Sequence, residues 1–97
     1  MNTHELLKQA EEVQRKMKSE LGETYAEVSV GGGMVSVKMD GHRHVRSLTI
    51  EPEAADPEDP QMLQDLIVAA VNAAGQRMDR TLREKLGQVL TSMPSIF

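Results

Sequence analysis

The chain has no cysteine, no tryptophan and only two aromatic residues, Tyr25 and Phe97. The missing cysteines exclude disulfides, thiolate nucleophiles and cysteine-bound metals. The missing aromatics exclude the stacking platforms with which single-stranded bases are read. No stretch approaches the roughly 18 consecutive apolar residues of a membrane span. The first residues, Met1-Asn2-Thr3-His4-Glu5, are not a basic stretch leading into an apolar one, so no secretory signal is expected. The expected compartment is the cytoplasm. Excess positive charge is absent too: the formal net charge is −4. That average conceals a local bias. Glu51, Glu53, Asp56, Glu58 and Asp59 are uncompensated within residues 51–60, and the rest of the chain carries a small positive excess. Local clusters, rather than the average, set the field that a partner meets.

What is present is an aliphatic and methionine-rich chain of 97 residues, the size of one domain. A core of this size is modest, so association with a second chain is a common source of stability. Seven methionines suit irregular packing between helices.

Residues 3–21 have the pattern of an amphipathic helix. Leu6, Ala10, Val13, Met17 and Leu21 fall on one stripe, Asn2 and Glu5 have capping-box spacing, and Gly22 is the expected left-handed stop. Residues 24–50 switch to period two. Ala26, Val28 and Val30 predict a first strand, and Val35, Val37 and Met39 a second, with Gly31, Gly32 and Gly33 as the turn between them. Asp40-Gly41 predicts a type I′ hairpin turn. A third strand is expected from about His42 to Ile50. Val45 and Leu48 have opposite parity there, which a β-bulge between them reconciles with one face.

Residues 51–59 form an acidic, proline-containing loop. Asp59-Pro60 reads as a helix cap followed by proline at the first helical position, opening a long helix over residues 60–90. From Met62 to Ala74, only Gln64, Asp65 and Asn72 are not apolar. A helix that is apolar nearly all round calls for burial nearly all round, and a small sheet covers one side only. This argues for a homodimer. Beyond Gly75, a single stripe of Met78, Leu82, Leu86 and Val89 remains. The tail over residues 91–97, which contains Pro94, is expected to be poorly ordered.

Few constellations suggest chemistry. Gly31–Gly33 lead into a strand pattern, without the Gly-Lys-Ser/Thr and helix of a phosphate loop. His42 and His44, with Asp40 nearby, supply at most two strand-face ligands where a zinc site needs three or four, so no metal or other cofactor is expected. Ser29, Ser36 and Ser47 lie in strands without a nucleophile turn, and no enzyme is expected. Basic residues cluster on the helices. Lys8 and Arg15 share a face opposite the apolar stripe, flanked by Lys16 and Lys18. Arg77, Arg80 and Arg83 sweep across the outer face of the second helix, with Lys85 to one side. Such stripes are most often solvated faces. They are also how helices meet phosphate oxygens.

Several blocks resemble a known family. Gly31–Val37 followed by Met39-Asp40-Gly41, Val45–Pro52, Met62–Ala74 and the ending Pro94-Ser95-Ile96-Phe97 are similar to the corresponding parts of the YbaB/EbfC family of bacterial nucleoid-associated proteins. The resemblance spans nearly the whole chain, 1–97, read as a single domain: helix arm 1–22, sheet 24–50, acidic loop 51–59, long helix 60–90 and tail 91–97.

It implies an α+β fold in αβββα order, with a three-stranded antiparallel meander flanked by two long helices in an intertwined, tweezer-like homodimer. It further implies binding of double-stranded DNA through the helical arms, with Lys8, Arg15, Lys16, Lys18, Arg77, Arg80, Arg83 and Lys85 as candidates. Leu63, Leu66, Ile67, Ala70, Val71 and Ala74 are expected in the dimer core. The expected setting is the nucleoid, with a role in its organisation or in gene regulation. The alternative is a protein-interaction module whose arms hold a DNA replication or recombinational-repair factor.

Overall fold

The computed structural model describes residues 2–92. Its first helix, α1, runs Thr3–Gly22; strands β1 (Tyr25–Val30), β2 (Val35–Asp40) and β3 (Val45–Ile50) follow; the second helix, α2, spans Pro60–Ser92. The strands form one antiparallel sheet in the order β1-β2-β3, so the αβββα order and the meander are as expected. At about 1.5 Å per residue, α2 is roughly 50 Å long, far longer than a six-residue strand. The molecule is accordingly elongated, with extents of 67 × 26 × 15 Å.

Local chemistry explains most boundaries. The Asn2 side chain accepts the backbone N–H of Glu5 at 2.8 Å and starts α1. The helix does not end through a left-handed Gly22. Gly22 is its last residue, the Glu23 N–H turns back to the carbonyls of Ser19 and Glu20, and Thr24 Oγ1 donates to the Glu20 carbonyl at 2.7 Å. Asp59 caps α2 by accepting the Met62 N–H at 3.1 Å. Thr91 and Ser92, expected in the tail, continue α2, where Thr91 Oγ1 donates to the Gly87 carbonyl. The rest of that tail, including Pro94–Phe97, lies outside the described residues. Between β3 and α2, Pro52–Ala54 form a single 3₁₀ turn that buries Ala54 completely.

The β1–β2 turn follows the expected plan. Gly31, Gly32 and Gly33 all hold positive φ, at 63°, 68° and 95°. At Gly31 a side chain is excluded twice over, because a Cβ would also stand 2.8 Å from Leu66 Cδ2.

The β2–β3 turn departs from the expected type I′ geometry. Neither Asp40 nor Gly41 has positive φ; the left-handed residue is Arg43, at φ 66°. Asp40 ends β2, and β3 starts at Val45 rather than His42. The cause is the Asp40 carboxylate, which organises a longer turn (described below). The expected bulge is present. Lys38 pairs with Ser47 and Met39 with Val45, so Arg46 is the extra residue that brings Val45 and Leu48 onto one face.

That face carries Ala26, Val28, Val30, Val35, Val37 and Met39, and α2 lies across it. Ala26, Val35, Val37, Met39, Ala70, Ala74 and Met78 form the core, with Leu63, Leu66, Ile67, Val71 and Leu82 packed around them. The six residues expected in a dimer core therefore face their own sheet. Ala70 and Ala74 are fully enclosed within one chain. The helix packs against β1 and β2. Beyond its reach, Val45 and Leu48 of β3 stay 45% and 40% exposed. The opposite sheet face is polar: Ser29 and Ser36 hydroxyls share a 2.7 Å hydrogen bond, and Lys38 Nζ lies 4.4 Å above the Tyr25 ring. Helix α1 buries none of its residues. It meets the body at its last turn, and does not flank the sheet as α2 does.

Candidate nucleic-acid interface

Helix α1 and the distal part of α2 leave the same end of the sheet. Lys85 Nζ donates to Thr24 Oγ1 at 2.7 Å, which places the α2 backbone beside the α1–β1 junction. Beyond that contact, Val13 and Met17 of α1 face Leu82, Leu86 and Val89 of α2 across an apolar cleft of about 460 Å³. The apolar stripes of both helices thus point towards the cleft, and their basic residues other than Lys85 are carried elsewhere on the helices.

The eight basic residues expected to bind DNA are all exposed. On α1, Lys8, Arg15, Lys16 and Lys18 form no ion pair among the described residues. Arg15 lies between two shallow surface grooves, one shared with Glu12, Lys16 and Ser19, the other with Glu11, Gln14 and Lys18. On α2, Arg77 and Arg80 are likewise free of ion pairs, and the Arg83 Nε donates to the Asp79 carbonyl at 3.4 Å. Lys85 differs from the others. Its ammonium is turned to Thr24 at the foot of the cleft, away from the arginine sweep.

The β2–β3 turn sits where the two helices converge. Asp40, 1% exposed, accepts the backbone N–H groups of His42 (2.8 Å) and His44 (3.1 Å) on Oδ1 and the Arg46 guanidinium (3.2 Å) on Oδ2. Burial alone raises the pKa of this carboxyl. The hydrogen bonds from His44, Arg46 and His42, with the charge of His44, outweigh it and hold the group below its ordinary value. The turn is tied to α1 by Gly41 N–H to the Leu21 carbonyl (2.9 Å) and by His42 Nε2 to the Lys18 carbonyl (3.1 Å). It is tied to α2 by Arg43, which pairs with Asp79 and approaches the Gly75 carbonyl at 3.5 Å. Among the described residues no group of His, Asp and Glu side chains is arranged to hold a metal ion. The Asp40 carboxylate is committed to the turn, and His42 to α1.

Arg43 and Arg46 are exposed cations that the helix-based reading of the sequence passed over. The signal for them was the basic run His42-Arg43-His44-Val45-Arg46, read there as a question about metal ligands.

Comparison with known proteins agrees with this architecture. A nucleoid-associated protein of Chloroflexus aurantiacus is 39% identical over the full length of both chains. One from Acetivibrio thermocellus is 40% identical, covering 99% of this chain and 90% of that protein. One from Acidobacterium capsulatum is 41% identical, covering 96% and 94%. The crystal structure of an uncharacterized Helicobacter pylori protein, 22% identical, superposes with a TM-score of 0.71 over 93% of this chain and 98% of that one, a likeness of fold. The profile of the YbaB/EbfC DNA-binding family matches residues 1–93, and the chain belongs to that family.

Proposed function

We propose that the protein binds duplex DNA as a homodimer, through the basic residues of α1 and of the distal half of α2, and that it serves nucleoid organisation or gene regulation in the bacterial cytoplasm. The carrying observation is the placement of Lys8, Arg15, Lys16, Lys18, Arg77 and Arg80. These are exposed cations without an acidic partner among the described residues, on two helices that leave one end of the body. Relatives carry the name nucleoid-associated protein, and membership of a DNA-binding family supports the same reading.

Homodimerisation is supported by what one chain leaves uncovered. Val45 and Leu48 lie on the core side of the sheet but beyond α2, and Val68 is 59% exposed on the helix. A second copy laid against β3 would cover this apolar surface and its open strand edge. The residues facing the partner are then Val45, Leu48 and Val68. Leu63, Leu66, Ile67, Ala70, Val71 and Ala74 form the layer beneath them.

The test is a salt titration of binding to a fluorescent duplex of about 30 base pairs, with sedimentation in the same buffer. If a dimer neutralises about five phosphates, log K falls against log salt with a slope of about −4.5. The double variant Arg80→Glu/Arg83→Glu keeps its fold and loses DNA binding. Undiminished affinity would remove α2 from the site.

A second reading draws on the apolar cleft between Met17 and Leu86. There the helices hold a protein, such as a DNA replication or repair factor. Capture of that factor undiminished by nuclease, from a protein that fails the duplex titration, would favour it.

A further inference from the structure

The arginine sweep of α2 has an acid at its edge. Asp79 lies one turn before Arg83, about 40° round the helix from it, and an unpaired carboxylate there would repel a phosphate that Arg83 attracts. The fold supplies a countercharge from 36 residues away. Arg43, in the β2–β3 turn, reaches across to α2 and pairs its guanidinium with the Asp79 carboxylate, with a second N–H directed to the Gly75 carbonyl at 3.5 Å. Arg83 closes in from the other side, its Nε 3.4 Å from the Asp79 carbonyl. Arg43, Asp79 and Arg83, with Leu82 and Leu86, line one shallow hollow of about 280 Å³.

Two features separate this contact from an incidental surface pair. Among the described residues, Arg43 is the one non-glycine residue held at positive φ, 66°, a conformation that L-residues seldom adopt. The turn that holds it there is fixed by Asp40 from one side and by the carbonyls of Leu21 and Lys18 from another. The pair is also half exposed, at 51% and 43%. It therefore adds little to stability, and its influence falls on the field outside the helix. The other acid of this stretch, Glu84, lies on the far side of the sweep, about 40° round the helix from Arg80 and between it and Arg77.

We propose that Arg43 masks Asp79, so that the Arg80–Arg83 edge of α2 presents DNA phosphates with a cationic surface that extends onto the β2–β3 turn. This rests on the DNA-binding reading above. Arg43 acts here as a positioning and neutralising residue, not as a base-reading one.

The full chain is titrated with the duplex at low and at raised salt, as wild type and as Arg43→Ala, Asp79→Asn, Arg43→Ala/Asp79→Asn and Arg80→Glu/Arg83→Glu. Thermal unfolding verifies each fold. Arg43→Ala weakens binding about three- to tenfold at low salt, and the deficit shrinks as salt screens the exposed carboxylate. Asp79→Asn binds at least as tightly as wild type. The double variant without both partners returns to within about twofold of wild type, because neither charge remains. Arg43→Gly relieves the positive φ while removing the pair, and it repeats the weakened binding should Arg43→Ala fold poorly. Wild-type affinity in Arg43→Ala, or a double variant as weak as Arg43→Ala, overturns the masking role. Full affinity in Arg80→Glu/Arg83→Glu instead removes α2 from the DNA site altogether, and the functional reading of that helix falls with it.

Discussion

Gly41 and Leu21 touch through their backbones: the Gly41 N–H donates to the Leu21 carbonyl at 2.9 Å, and a Cβ on Gly41 would stand 2.5 Å from that oxygen. The glycine is needed for close approach, not for a left-handed φ. This contact fastens the β2–β3 turn to the last turn of α1, a helix that buries no side chain of its own. Gly41→Ala forces turn and helix apart. The expected result is a loss of about 1–3 kcal/mol in urea unfolding, as for other overpacked sites. Amide exchange in α1 should rise more than in α2, and an unchanged exchange pattern would show that α1 is held by other contacts.

Asp40 gives the turn an acid sensitivity. Burial pushes its pKa up, but the hydrogen bonds from His44, Arg46 and His42 hold it below the ordinary carboxylate value in the folded chain. A carboxyl whose folded pKa is depressed contributes stability above its unfolded pKa and loses it as pH falls through the folded value. This contribution is fully present at neutral pH and declines below about pH 4. Urea midpoints measured from pH 6 to 3 should fall for the wild type. Asp40→Asn should be less stable at neutral pH, and its gap to the wild type should narrow in acid. A gap constant with pH would exclude the titration of Asp40 as its source.

Met78 is the largest fully buried side chain of the core. It closes the sheet end of the α2 stripe below Leu82 and Leu86. Met78→Ala removes its contacts and leaves a cavity, with an expected loss of about 2–5 kcal/mol in denaturant unfolding. A loss under about 1 kcal/mol would mean that the core collapses to fill the space.

Leu48 tests the dimer. It lies on the core side of β3 yet is 40% exposed in one chain, so folding of that chain does not depend on it. Leu48→Glu should retain the circular dichroism of the wild type and sediment as a monomer at micromolar concentration. A variant that remains a stable dimer would place the interface away from β3.

The parts legible in the sequence were local ones. Apolar residues recur every three or four positions in α1 and every second position in β1 and β2, and those periods follow from backbone geometry alone. The caps at Asn2 and Asp59 act across three residues. Even the bulge at Arg46 could be read from the parity of Val45 and Leu48. The chain also determined, through its length and the composition of Met62–Ala74, that one small sheet would leave apolar surface uncovered.

Tertiary structure decided which surface that would be. The apolar residues of α2 look equivalent in sequence, but docking on β1 and β2 encloses Ala70 and Ala74 and leaves Val68 outside. It also decided that Asp40 and Gly41 build a longer turn than their dipeptide suggests, because a buried carboxylate can gather donors from His42, His44 and Arg46 only once β3 is in place. The pairing of Arg43 with Asp79 belongs to the same class. Helix and strand periods report the faces of single elements; which charges meet across 36 residues depends on how those elements pack, and packing is a property of the folded chain.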